Sequence, residues 1–452
     1  MSFLIEGTFI HTKKGILEIL ENHFMLVSAE GKIAYLGKEK PDEKLLSNVK
    51  TIYKLSPTEI VIPGFIDCHI HAPQYINSGC GANCELLEWL NKYTFPAESK
   101  FNSTTHAEKI YTAVVSRTLS FGTTTASYFA TIHKEASILL GKICAKLGQR
   151  AFVGKISMDR NSPDYYIEKT QNAIEDEKKF LEEIKPICEK SLVLPVITPR
   201  FVPSCTAELM SNLGEMGKKS ENKILIQSHL NENESEIALV KELHPESKSY
   251  THVYNDFNLL TDRTILAHCI HMTDSEIDLM VEKGASVAHC PSSNFNINSG
   301  CCDVRYLLQK KLKIGLGTDI SGGPSPSIID SMRNAIMCSK AIYFEKRKRD
   351  KNSKYKHLNV DEVFYLATEG GANALGIGDK VGNFEIGKEF DGLFVDLNKG
   401  ALDCFGHETA YDLLNKMIFL ADDRNIVKVF VQGKIVKNLE YNMSKLWNIT
   451  YI

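Results

Sequence analysis

At 452 residues the chain is too long for one small domain and suits a large barrel with an added module. An apolar share of 43%, a charged share of 24% and a net charge of −3 are those of an ordinary globular protein. The near balance of 53 basic and 56 acidic residues argues against a nucleic-acid or membrane-surface binder, and no apolar run approaches the roughly 18 residues of a bilayer span.

The opening MSFLIEGTFIHTKKG carries Glu6 early, lacks a basic region followed by an apolar one, and does not read as a signal peptide. Residues 3–12 and 23–37 read as strands, with Glu30-Gly31 as a hairpin turn. From Pro63 short apolar runs alternate with helical periodicity. Strands are expected at 61–70, 121–129, 150–158, 192–200, 223–230, 264–270, 285–291 and 313–320. Helices are expected at 107–120, 167–185 and 274–284, the last ending on Gly284. Eight such strands indicate an α/β fold of the (β/α)8 type. A further helix starts near Asn359, and 382–397 and 425–438 read as strands again. The expected division is 1–62 and 381–452 as two parts of a small β-sandwich, with 63–380 as the barrel. The basic run 346–356 reads as a solvated loop or helix end. Twelve scattered cysteines without a C-x-x-C pair read as reduced, which points to the cytoplasm.

In such a barrel functional side chains gather at the C-terminal ends of the strands. His69 and His71 end the first strand and, spaced i, i+2, share one face. His229, His268, His289 and Asp319 end the fifth to eighth strands. A lone histidine is usually core; six potential ligands at strand ends are not. His69, His71, His229 and Asp319 supply three nitrogens and one oxygen for a cation of zinc type, whose bound water is acidified toward neutral pH. Glu232 in HLNE, or Glu234 two residues on, can carry a proton from that water to a substrate; the spacing does not choose between them. Asp319 can also orient the nucleophile, and His268 can stabilise charge developing on attack. GLGTDIS and GIGDKVG both fail the dinucleotide pattern at the third glycine, and no P-loop, G-x-S-x-G or H-E-x-x-H occurs. These residues reach a metal-dependent hydrolase with its substrate open.

PGFIDCHIH, the SH of strand five, the AH of strand six and GTD of strand eight resemble the amidohydrolase superfamily. LLEWLNKYTFPAE (86–98), FGTTTASYFATIH (121–133), ITPRF (197–201), IQSHLNENESE (226–236), AHCPSSN (288–294) and KIGLGTDISGG (313–323) resemble its guanine deaminase family more closely. The resemblance implies one zinc per chain on His69, His71, His229 and Asp319, with Glu232 as proton shuttle and His268 and Asp319 assisting. It implies guanine as substrate, bound by Gln74, Arg200 and Phe201 beside His71, His229, Glu232 and Asp319. It also implies a homodimer, while the charge balance speaks against a nucleic-acid or membrane partner. The fourth strand ends in TPR without a lysine, which is similar to the mononuclear branch; Lys155 on the third strand reads as structural, and Tyr128 and Phe129 as core. The loops 77–84 and 322–327, near the mouth, depart from the family pattern. A second metal at Cys80, Cys84, Cys301 and Cys302 is the outside reading.

Overall fold

The computed structural model describes residues 2–220 and 224–439. Expectations for Lys223, at the head of the fifth strand, and for 440–452 lie outside these residues. Eight parallel strands run in chain order: Phe65–His71, Thr123–Phe129, Arg150–Gly154, Val193–Pro199, Leu225–Leu230, Thr264–His268, Ser286–His289 and Lys313–Leu316. The eighth meets the first just beyond its own end. There Asp319 N–H donates to His69 C=O at 2.8 Å and His71 N–H to Ile320 C=O at 3.2 Å. This seam nearly closes a (β/α)8 barrel and sets Asp319 beside both histidines.

The run expected as one strand over 61–70 is two. Glu59–Pro63 belongs to a second sheet, Phe65–His71 to the barrel, and Gly64 lies between. A Cβ at Gly64 would sit 2.1 Å from Thr124 Oγ1, so the crossing between sheets leaves no room for a side chain. The second sheet interleaves the ends of the chain in the order Lys434–Asn438, Ile426–Val431, Gly392–Asp396, Glu59–Pro63, Ser2–Lys13, Ile16–Val27, Ile33–Gly37, with Val49–Lys54 alongside Ser2–Lys13. It curls over an aromatic core in which Phe3 stands 5.2 Å from Phe430 and Tyr53 5.3 Å from Phe394, ring to ring. Of the strand-like stretch 382–397 only Gly392–Asp396 is strand. The earlier part makes scattered bonds instead, Phe384 N–H to the His11 side chain at Nδ1 on the strand Ser2–Lys13 and Phe390 N–H to Gly31 C=O in a turn. Between the last strands the helix Ala410–Leu420 packs on the long helix Ile328–Arg349, whose basic last turn is exposed.

Expected helices form at Thr104–Ser120, Thr170–Glu183 and Asp274–Lys283. The last starts on a Thr273/Glu276 capping box and stops at Gly284, where φ is 72°. Arg150, heading the third barrel strand, joins the two sheets. Its Nη2 donates to Glu389 at 2.6 Å, and its Nε and Nη2 donate to Asp391 at 3.3 Å, all three side chains being largely buried.

Candidate active site

Period-two geometry stacks inward side chains in layers. The layer below the site holds Asp67, Ser127, Thr198 and Gln227, each two residues before a residue of the top layer. Ser127 Oγ donates to Gln227 Oε1 at 2.7 Å, and Gln227 Nε2 to Thr198 Oγ1 at 3.0 Å. Asp67 Oδ1 accepts from the backbone N–H of His69 at 3.2 Å and of Thr318 at 3.0 Å, tying strand one to the turn that carries Asp319. The top layer therefore rests on a hydrogen-bonded floor.

All four expected ligands meet there. His69 Nε2 lies 3.1 Å and His71 Nε2 3.5 Å from Asp319 Oδ1, and His71 Nε2 lies 3.2 Å from His229 Nε2. Among the described residues two groupings have ligand atoms within 4.8 Å of one another: His69, His71 and Asp319, and His69, His229 and His268. His229 Nδ1 donates to Arg200 C=O at 2.6 Å, leaving Nε2 bare toward the cluster. Burial holds His69, and more strongly His71 and His229, below the usual imidazole range, so they are neutral, the form that binds metal. Burial pushes Asp319 the other way, but the neighbouring histidines outweigh it and keep the carboxylate ionised. The buried Nε2 atoms of His69 and His268 make no well-aligned hydrogen bond among the described residues and face carboxylate oxygens of Asp319 and Glu232. Three neutral imidazoles, one carboxylate and these unmatched nitrogens fit a zinc-type cation. No cysteine joins either grouping.

Glu232 reaches the same point from one side. Its Oε2 is 3.3 Å from His268 Nε2, and Ser299 Oγ donates to its Oε1 at 3.4 Å. Burial first, then the charges of Asp319 and Glu236, drive its carboxyl well above the usual range. Glu236 accepts from the backbone N–H of Glu232 at 2.9 Å and of Asn233 at 3.2 Å in the capping box that opens the helix Glu234–Leu243. This box turns Glu232 inward and leaves Glu234 exposed. Nδ1 of His268 pairs with Asn294 Oδ1 at 2.9 Å.

Around the cluster a cleft of about 360 Å³, its open mouth included, is lined by His71, Gln74, Arg200, Phe201, His229, Glu232, His268 and Asp319, with Leu86, Trp89, Leu90 and Ile297. Every expected substrate contact thus faces one space. His289 is buried but does not line the cleft, and burial pulls its ring down to about 3. Tyr128 is core, its hydroxyl tied to Gln149. Phe129 is buried as expected and also packs against the site, 4.7 Å from the rings of His69 and His71 and 5.0 Å from His229. Lys155 is structural: its Nζ donates to Glu168 at 2.7 Å and to Ile156 C=O at 3.0 Å. Nearby, burial raises Glu177 to about 7.

Sequence reasoning assigned no role to Leu86, Trp89, Leu90, Ile297, Asn294, Ser299 or Glu98. Four of these lie in LLEWLNKYTFPAE, whose mixture of apolar side chains and a terminal glutamate reads as any short helix. Their one signal was that this string belongs to the resemblance.

Comparison with known proteins agrees with this geometry. Residues 60–436 match the Amidohydrolase family. A guanine deaminase of Dictyostelium discoideum is 45% identical over 96% of this chain and 98% of its own. That of Homo sapiens is 43% identical over 96% and 97%. The crystal structure of a guanine deaminase from C. acetobutylicum, with guanine bound in its active site, superposes with a TM-score of 0.89 at 38% identity, covering 96% of this chain and all of that one. With its strand-end ligand cluster on a nearly closed α/β barrel, the chain belongs to the amidohydrolase family, beside the guanine deaminases.

Proposed function

We propose that this protein hydrolyses guanine to xanthine and ammonia with one zinc ion per chain. The observation that carries the reading is the meeting, in one cleft, of the histidine–aspartate cluster and Glu232 with the donor side chains Gln74 and Arg200. The near-full-length likeness to guanine deaminases supports the choice of substrate.

In this reading His69, His71, His229 and Asp319 hold the metal, which when bound supplies the Lewis acidity that makes water nucleophilic near neutral pH. Glu232 takes a proton from the attacking water at Oε2 and delivers it to ring N3 as C2 becomes tetrahedral. A second proton passes through the same carboxylate to the amine, which leaves as ammonia while the C2 carbonyl forms. The upward pull on Glu232 from burial and from Asp319 suits it to hold a proton between those steps. His268, 3.3 Å from Glu232 Oε2 and 3.7 Å from Asp319 Oδ2, stabilises the charge that develops on attack, and Asp319 also orients the nucleophile. Arg200 and Gln74 donate to the purine's acceptors while Phe201 packs on its face. Leu86, Trp89 and Leu90 exclude bulk water. The homodimer, which rests on the resemblance, and the cytoplasmic location, which rests on the scattered reduced cysteines, belong to the same proposal.

The test is ammonia release from guanine, adenine, cytosine, a pterin and a triazine, with zinc measured in protein purified without chelator. Turnover of guanine with zinc near one equivalent is expected. Turnover of another heterocycle but not guanine refutes the substrate, and zinc below about half an equivalent refutes the metal site.

A further inference from the structure

Behind the wall that carries Gln74 and Arg200 lies a carboxylate that none of the steps above uses. Glu98, last residue of the short helix Phe95–Glu98, is wholly buried. Its Oε1 accepts from Gln74 Nε2 at 2.8 Å and from Arg200 Nη2 at 3.2 Å. Its Oε2 accepts from Arg200 Nη1 and from the Tyr166 hydroxyl, both at 2.7 Å. Four donated hydrogen bonds from three distant stretches of chain end on one side chain. The Arg200 guanidinium also lies 5.4 Å from the centre of the Phe95 ring, which limits its tilt.

The consequence is a polarity. Gln74 Oε1 accepts from Ser321 N–H at 3.2 Å while its amide nitrogen is held by Glu98. Turning the amide over would set oxygen against carboxylate and N–H against N–H, so its orientation is determined by the network. A guanidinium carries no acceptor. With Gln74 Oε1 engaged by Ser321 and the guanidinium free of acceptors, what both side chains chiefly have left to offer a ligand in the cleft is N–H.

We propose that Glu98 is a positioning residue for the purine: it locks Gln74 and Arg200 into a wall that only donates, and so selects a purine with an oxo acceptor at C6 over one with an amino group there. The proposal rests on the deaminase reading and names what sets its specificity. A 6-amino group points its own hydrogens at that wall and leaves buried donors unpaired, the kind of mismatch that separates substrates most strongly. Glu98 also neutralises Arg200, so the wall has no net charge to recruit an anionic substrate.

Guanine and 2,6-diaminopurine share the 2-amino leaving group and differ at C6 and in the N1 proton that follows from it. The experiment measures kcat and KM for both, with calorimetric binding of each to zinc-loaded protein, for the unaltered chain, Glu98→Gln and Tyr166→Phe. A glutamine places N–H where two of the four hydrogen bonds now end. We expect the unaltered protein to prefer guanine by about 10³ or more, and Glu98→Gln to shrink that ratio at least about tenfold, the loss falling on KM more than on kcat. Tyr166→Phe, which keeps the ring, shifts the ratio the same way by about threefold and serves if Glu98→Gln does not fold. A folded Glu98→Gln that lowers both substrates equally, or, in its place, a Tyr166→Phe with an unchanged ratio, overturns the proposal. If guanine binds in preference but is not turned over, the deaminase reading fails while loss of that preference in Glu98→Gln still supports the wall. Equal binding of the two purines to the unaltered protein overturns it.

Discussion

Replacing Glu232 by glutamine separates the proton shuttle from everything else the residue does. Glutamine has nearly the same volume and can still accept from Ser299 Oγ, which lies 3.4 Å from Oε1. The backbone bonds to Glu236 do not involve the side chain and persist. What is lost is a group able to take and return a proton 3.3 Å from His268 Nε2. General acid–base catalysis contributes about 10²–10⁴-fold, which at 1.36 kcal/mol per tenfold is roughly 3–5 kcal/mol of barrier. Folding stability should not fall with it, because the substitution removes a carboxyl buried beside Asp319 that the native state holds at a cost. The assay is steady-state ammonia release at saturating guanine, with zinc content and denaturation midpoint measured on the same preparation. We expect kcat down by two to four orders of magnitude, full zinc and an unchanged or higher midpoint. A kcat within about fivefold of the unaltered protein at full zinc would remove Glu232 from the mechanism.

Two further outcomes test the scaffold. Arg150→Met strands Asp391 and Glu389 without their buried cation, and urea denaturation should show a loss of about 3–5 kcal/mol. Burial raises Glu177 to about 7 from an ordinary 4.5, so the native state binds the proton more tightly than the unfolded chain. Its contribution is complete below about 4.5 and lost as pH rises through 7, a decline of at most about 3 kcal/mol. Glu177→Gln, which can keep the Ser157 Oγ bond, should therefore gain in midpoint relative to the unaltered protein between pH 5 and 8 (roughly the window set by those two values). A constant difference across that range refutes the shift.

Residues whose role depends on strand ends were legible from sequence, and residues whose role depends on long-range partners were not. His69, His71, His229, His268 and Asp319 are marked because each closes an apolar run, and the barrel brings the ends of such runs together. Glu232 and Glu234 were indistinguishable in NENESE, since only the Asn233/Glu236 capping box decides which of them turns inward. Glu98 was invisible because Gln74, Tyr166 and Arg200 lie up to 102 residues away along the chain. The run 61–70 read as one strand because its apolar composition is continuous, whereas the change of sheet at Gly64 is a matter of space beside Thr124. Residues 382–391 alternate like a strand but spend their backbone groups on scattered partners, among them the His11 side chain, Gly31, Ile33 and Lys380, and form no ladder.

The interleaved sheet also sets a timetable for biosynthesis. Glu59–Pro63 pairs with Gly392–Asp396 on one side and meets Ser2–Lys13 on the other. During synthesis the early strands leave the ribosome more than three hundred residues ahead of their partner. At 5–20 residues per second that is on the order of 15 to 65 s with an apolar strand edge unpaired. Throughout that interval the first barrel strand, which starts two residues after Pro63, is tethered to an unfinished sheet. The nascent chain therefore passes through a window of aggregation risk that ends when the Gly392–Asp396 strand emerges. Expression yield should respond to chaperone supply and elongation rate more than the stability of the finished fold suggests.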